Sequence, residues 1–322
     1  MQDYLKYKGE FSNLTQEELI ELYKKLENYK IKYRNHLGVP ENISFGVEIE
    51  FQNTSLDVVK KSLKNEDEYK FWCIHEDASV EEYINGILVG GEISSDILYD
   101  TKDNWEKLKK LLNILKGLKA KAGDKTAFHT HVGAQIFKED LEYAKRFIKL
   151  WCIFEDVIYR FGYGISSNPR ELIEYYAYPI MPLYKKLYEK NKYIFDHITT
   201  TKMLDFGKSK GISFKNYHYL NMEEEINNTI EIRCPNGTLT PVTVQNNINF
   251  FLKLMLYVTS EKYDDKLVNK LFKDEEAKSL KEYSKLNIKK AIFLSDLIFN
   301  NSLDKINFIK QYIKKDDYIL LR

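Results

Sequence analysis

The chain has 322 residues, enough for roughly two domains at about 150 residues each, or one large domain with extensions. Its 49 Lys and Arg balance 48 Asp and Glu to a formal net charge of +1, so no far field of either sign points to nucleic acid or to an anionic membrane. A hydrophobic fraction of 43% with 14 Gly and 6 Pro excludes collagen-like repeats and wholesale disorder.

The first ten residues, MQDYLKYKGE, lack the apolar run and small-residue site of a signal peptide. Residues 15–35 read as a helix, with Thr15 and Glu18 spaced as a capping box and Leu19, Leu22, Tyr23, Leu26 and Tyr29 on one stripe. Gly38 and Pro40 end that pattern, which places a boundary near residue 40. Residues 43–51 alternate with period two, and 70–75 form a shorter strand. Asn85-Gly86 between residues 80–84 and 87–93 signals a hairpin, because both turn residues tolerate positive φ. Residues 105–118 read as helix, 126–137 as strand, and 139–161 and 170–195 as helices. A strand over 229–234 and a helix over 242–259 follow.

The most apolar stretch, INFFLKLMLYV at 248–258, is too short to span a bilayer and carries Asn249 and Lys253. Beyond 260 the pattern is that of three or four charged amphipathic helices. The expected organisation is a helical extension at 1–40, a mixed α/β core at 41–260 and a helical segment at 261–322. Cys73, Cys152 and Cys234 are odd in number, widely spaced and without a CxxC pair, which suits the reducing cytoplasm.

One device recurs on separate strands. Side chains on a strand alternate faces, so Glu48 and Glu50 share one face while Val47, Ile49 and Phe51 share the other. His129 and His131 pair in the same way in FHTHVG, and Glu231 and Arg233 in TIEIRC. In GGEISS, Glu92 and Ser94 point together. Each pattern alone fits a solvated strand face or a surface ion pair. On one sheet, however, they would gather carboxylates that repel each other unless cations neutralise them. Oxygen-rich ligation with imidazole favours Mg²⁺ or Mn²⁺ over a closed structural zinc site.

FGVEIEF, GGEISS, FHTHVG and TIEIRCPNGTL, in that order, resemble the amidoligases, relatives of glutamine synthetase and the γ-glutamylcysteine ligases. The resemblance covers about residues 43–260. It implies an α+β fold of the glutamine-synthetase type, a curved antiparallel sheet with helices behind it and the site on the concave face. It also implies ATP- and Mg²⁺- (or Mn²⁺-) dependent amide formation through an acyl phosphate. By this resemblance Glu48, His129 and Glu231 would hold one metal on the β/γ-phosphates, and Glu50 and Glu92 a second. His131 would contact phosphate, and Arg233 would stabilise the transferring phosphoryl group or hold the carboxylate. Lys215 and Asn221, in KNYHYLN, fall where the relatives contact the nucleotide. Asp77 could bind or deprotonate the amine, or be a plain turn residue.

Three positions depart from the family pattern: Asp77-Ala78-Ser79 replaces Asp-Gly-Ser, Ser95-Asp96 replaces Ser-Pro, and Lys215 stands in a segment that usually bears arginine. His75, His197 and His218 read as structural. Arg160 and Arg170 bracket FGYGISSNP, either a loop closing over the site or a helix connection. Expected partners are a carboxylate substrate and an amine, which could be peptides or proteins, with no nucleic acid or membrane; an oligomer is open. Three other functions stay open: a non-catalytic metal- or nucleotide-binding module with helical assembly segments, a phosphotransferase of the guanidino-kinase type, and, from the His-x-His alone, a metal-dependent hydrolase that would not need ATP.

Overall fold

The computed structural model describes residues 10–64, 69–138, 140–190, 209–217 and 228–321. The chain is a mixed α+β fold in which an antiparallel sheet is packed with helices. Its strands are β1 (Ser44–Phe51), β2 (Trp72–His75), β5 (Gly91–Ser95), β6 (Leu98–Tyr99), β7 (Phe128–Gly133), β8 (Ile212–Ser213) and β9 (Thr229–Ile232). They run in the order β2-β5-β1-β7-β9-β8, with β6 alongside β1. A separate hairpin, β3 (Glu82–Ile84) and β4 (Ile87–Val89), turns at Asn85 and Gly86, both at positive φ as the Asn-Gly pair predicts.

The second hairpin strand is shorter than the apolar run suggests. At Gly90 φ is 104°, and an added Cβ would lie 2.6 Å from the Val80 carbonyl oxygen, so the chain breaks there and enters the main sheet as β5.

One sheet face is apolar. Phe45, Val47, Ile49, Phe51, Phe128, Val132, Ile230 and Ile232 are buried against the helices. Those helices include α3 (Lys102–Gly117), α4 (Leu141–Gly162) and α7 (Pro241–Val258), and Trp105 of α3 stacks on Phe45 with ring centroids 5.0 Å apart. Burying an aromatic side chain of this kind contributes about 1.5–3 kcal/mol.

The N-terminal helix α1 (Gln16–Asn28) starts with the expected Thr15–Glu18 capping box but stops at Asn28 rather than at 35. The stripe continues through Tyr29 and Tyr33, yet both phenols serve tertiary hydrogen bonds, Tyr29 to Asn307 and Tyr33 to the Trp105 carbonyl. Segment 29–39 is therefore drawn out along the core, and Asp100 accepts from the backbone amides of Leu37 and Val39.

A short helix that the sequence did not suggest, α2 (Leu56–Leu63), is capped by Ser55 and buries Val59 and Leu63. The helix expected over 170–195 is two pieces, α5 (Ile173–Tyr176) and α6 (Met181–Lys190). Pro179 sits in the break, and proline disfavours helix at the residue before it. Residues 191–195 lie outside the described residues.

After residue 260 the described residues form five helices where three or four were expected: α8 (Asp265–Asp274), α9 (Leu280–Tyr283), α10 (Ile288–Ile298), α11 (Ser302–Tyr312) and α12 (Asp317–Leu320). The surplus consists of single turns, too short for periodicity to reveal. The ends of the chain meet on α7, whose Gln245, Asn246, Asn247 and Asn249 are buried. Gln245 grips both backbone groups of Arg34, and Asp304 accepts from Arg34 Nη2 at 2.7 Å and from Asn249 Nδ2 at 2.9 Å. Among the described residues no helix is long and apolar enough to cross a membrane.

Candidate active site

The polar face of the sheet carries the candidate residues in rungs, because opposed residues of antiparallel strands project to the same side. His75 of β2 stands opposite Glu92 of β5, which stands opposite Glu50 of β1. The next rung runs from Cys73 through Ser94 and Glu48 to His129. A third joins Gly46 to His131, His131 to Glu231, and Glu231 to Ser213.

Glu48 is the hub. Its Oε2 lies 2.8 Å from His129 Nδ1 and its Oε1 lies 2.9 Å from His131 Nε2. Glu231 Oε1 is 3.7 Å from His129 Nδ1 and is paired with the Arg233 guanidinium. Arg233 is held from behind by the Tyr176 carbonyl, which accepts from Nε at 3.3 Å. Glu50 Oε2 accepts from the Ala127 amide at 2.6 Å, and its Oε1 lies 3.8 Å from His129 Nε2. Glu50, His129, Glu231 and Arg233 are all buried, with exposures of 3–8%.

Electrostatics follow from that crowding. Burial alone would raise the Glu48 carboxyl, but the hydrogen bonds and charges of His129 and His131 outweigh it and hold Glu48 well below the usual carboxylate range. Burial likewise disfavours charge on His131, yet the Glu48 hydrogen bond and charge raise it. Among the described residues Glu92 has no such partner. Burial first, and then the negative charge of Glu48, Glu50, Asp77 and Glu231, push it up to about 8.

Three overlapping sets of donor atoms lie within 4.8 Å of one another: Glu48, Glu92 and His129; Glu48, His131 and Glu231; Glu50, Asp77 and Glu92. The third set includes Asp77, which stands on no strand. Its carboxylate also accepts from the backbone and hydroxyl of Ser79, an Asx turn that the Ala78 substitution leaves in place. His129 Nε2 is buried without a hydrogen-bond partner, an orphan donor or acceptor within reach of the carboxylates. The donor set is therefore one that a hard divalent cation fits: carboxylate oxygens in excess, imidazole beside them, and unrelieved negative charge.

Of the other residues singled out from the sequence, Lys215 lies just beyond β8 and donates its backbone N–H to Ser213. Asn221, His197 and His218 lie outside the described residues. His75 is on the polar face with Nε2 2.8 Å from Ser94 Oγ. Arg160 is elsewhere, buried between the Ser284 carbonyl and Asp317, and fixes the C-terminal helices. Arg170 is different: it is 5% exposed, and Glu50 is the carboxylate that acts most strongly on it. No sequence signal marked Arg170 beyond its place beside a Gly- and Ser-bearing loop. The Ala127 amide and the Tyr176 carbonyl were equally invisible, since their contributions depend on strand pairing and backbone placement.

A family described as "Putative amidoligase enzyme" matches residues 41–255. No curated protein matches the chain. The matched span contains all six strands that bear the rungs, and it covers well over half of the chain. The chain belongs to the amidoligase family.

Proposed function

We propose that this protein joins a carboxylate to an amine at the expense of ATP, in the presence of Mg²⁺ or Mn²⁺, through an acyl phosphate. The observation that carries the reading is the set of three overlapping carboxylate–imidazole clusters beside Arg233 on one sheet face. On this reading the sheet is the curved sheet of the glutamine synthetase relatives, with its polar face concave.

Glu48, His129 and Glu231, with His131, would hold the ion next to the β/γ-phosphates; Glu50, Glu92 and Asp77 would hold a second. Asp77 thus serves the second metal rather than the amine, because it shares a cluster with Glu50 and Glu92. When bound, the ions supply charge neutralisation to the polyphosphate oxygens. The substrate carboxylate oxygen attacks the γ-phosphorus and ADP leaves; the neutral amine nitrogen then attacks the acyl carbon, and phosphate leaves with the electron pair of the broken C–O bond and takes up the proton that the nitrogen loses. Arg233, released from Glu231, would meet the oxygens of the transferring phosphoryl group, where a planar guanidinium offers two parallel donors. Its Nε stays anchored on the Tyr176 carbonyl, so the fork is aimed before substrate arrives. The acid and the amine could each be borne by a peptide or protein.

Hydroxylamine tests the reading, since it captures an acyl phosphate without needing a specific amine site. Incubation with MgATP, hydroxylamine and a panel of amino acids and carboxyl-bearing peptides should give a hydroxamate together with ADP. Phosphate transferred to a guanidino or hydroxyl acceptor would make the protein a kinase instead. Nucleotide binding with no turnover of any kind would make it a binding module.

A further inference from the structure

Among the described residues, the strands of the β3–β4 hairpin pair only with each other. Tyr83 and Leu88 stand opposite each other and project to one face; Ile84 and Ile87 project to the other. All four are exposed, Tyr83 by 76% and Ile87 by 60%, so neither face is covered over the outer two rungs. A single exposed Leu or Ile needs no explanation, but four large apolar side chains gathered on one small arm mark a surface that meets a partner. The strand edges add unpaired backbone groups, and residues 82–89 carry neither Lys nor Pro to block pairing there.

The root of this arm is tied to the second carboxylate cluster, that of Glu50, Asp77 and Glu92. Val80 and Glu81 donate their backbone N–H groups to the Asp77 carbonyl at 3.1 Å, and the Glu81 carboxylate accepts from the Asp77 amide at 3.2 Å. Gly90 donates to the Thr54 carbonyl at 2.9 Å, just beyond the Glu50 end of β1, and the chain reaches Glu92 two residues later. Three paired residues at about 3.3 Å each set the tip about 10 Å from that root.

Charge separates the two ends of the site. Residues 71–101 contain no Lys or Arg, although about one residue in seven of the whole chain is one or the other. Glu76, Glu81, Glu82 and Asp96 in that stretch are exposed or half-buried and add to the negative charge of the cluster. Arg233 follows β9, the third strand along from β5. An anionic substrate is therefore drawn to the β9 end, and an ammonium to the hairpin end.

We propose that the β3–β4 hairpin is the docking arm for the amine substrate, a polypeptide whose extended stretch of apolar and basic residues pairs along the hairpin and brings a lysine side chain to the cluster of Glu50, Asp77 and Glu92. The proposal rests on the ligase reading and names the carrier of the amine. An extended segment added to a free strand edge gains main-chain hydrogen bonds, while its alternate side chains meet the apolar residues of the arm. Its other cations face Glu81 and Glu82.

The test uses the full chain and acetylated, amidated peptides of about nine residues, the upper range of a strand, in which Lys alternates with Val, Ile, Leu or Tyr. Lysine then supplies every amine present. Fluorescence anisotropy of the labelled peptides should show at least one binding about tenfold or more tightly than its Glu-for-Lys counterpart and than a version interrupted by proline. Ile87→Lys should weaken that peptide by about tenfold or more, with an unchanged melting temperature because the side chain is exposed. Should that variant fail to fold, Glu82→Lys should weaken the same peptide and flatten its salt dependence. With an acid that yields hydroxamate, ligation to the peptide should fall about tenfold further in Ile87→Lys than hydroxamate formation does. Metal-dependent nucleotide binding without any preference for the Lys peptides, or with equal peptide binding to Ile87→Lys, overturns this assignment alone. Self-association abolished by Ile87→Lys, with no peptide bound, also overturns it and makes the arm a contact between copies of the chain. Hairpin-dependent peptide binding with no hydroxamate from any acid overturns the ligase reading and leaves the docking arm standing.

Discussion

Replacing Glu155 by glutamine probes how the helical layer supports the candidate site. Glu155 sits on α4, 1% exposed, and four donors converge on its carboxylate: Trp151 Nε1 at 2.9 Å, the Ile180 amide at 2.7 Å, the Met181 amide at 2.9 Å and the Tyr283 hydroxyl at 2.9 Å. Two of these are orphan amides at the start of α6, so Glu155 caps that helix from a distance. Together with Tyr159, which donates to the Ala177 carbonyl at 2.8 Å, it pins the segment whose Tyr176 carbonyl holds Arg233. Burial pushes the Glu155 carboxyl up from 4.5 to about 7 despite those hydrogen bonds. A carboxyl raised on folding binds more protons in the native state, so its contribution is full below about 4.5 and is lost as pH rises through about 7. At about 1.36 kcal/mol per pH unit, the span amounts to about 3 kcal/mol. Glutamine does not titrate, and its amide nitrogen would face donors that need an acceptor, which costs about 1–3 kcal/mol for each one left unpaired. Urea unfolding followed by tryptophan fluorescence at pH 5 and pH 8.5 gives both quantities. Glu155→Gln should be less stable than the parent at pH 5, and the gap should narrow by about 3 kcal/mol at pH 8.5. Other titrating groups cancel in that difference. An unchanged gap between the two pH values would refute the reasoning.

Three other outcomes follow from the same geometry. Glu48→Gln should cut ATP turnover by at least about 100-fold, the scale of losing a metal ligand, while the melting temperature in EDTA falls by only a few degrees because the apolar face of β1 is untouched; a collapse of the metal-free fold would make Glu48 structural. Arg233→Lys should lower hydroxamate formation by about 100-fold with nucleotide affinity changed less than threefold, since a point charge lacks the planar fork; equal losses in both would place Arg233 in ground-state binding. Asp304→Ala should destabilise the protein by about 2–4 kcal/mol in urea, because it leaves buried Asn249 without its acceptor and takes the partner from half-buried Arg34; a loss below about 1 kcal/mol would mean that this junction is not part of the cooperative unit.

The composition of the polar face was legible because a strand has a period of two: once Val47, Ile49 and Phe51 are taken as core, Glu48 and Glu50 have only one side left. The same rule delivered His129 with His131 and Glu231 with Arg233, and it needs no knowledge of the rest of the chain. What it cannot give is adjacency. That Glu48 lies between Ser94 and His129 depends on pairings among segments more than thirty residues apart, which local periodicity does not encode. Asp77 shows the boundary clearly. It lies in a turn without period, and only the pairing of β2 with β5 brings it to Glu50 and Glu92. Arg170 lies further out still, because a lone arginine in a loop reads as solvated until burial shows that water has been taken from it. The helix over-extended to residue 35 and the helix broken near Pro179 failed for different reasons. Tyr29 and Tyr33 kept the helical spacing while their phenols were taken by tertiary partners, a competition no window of sequence can see. Pro179, by contrast, was in plain view, and the period was followed past a residue that its own backbone chemistry forbids in a helix interior.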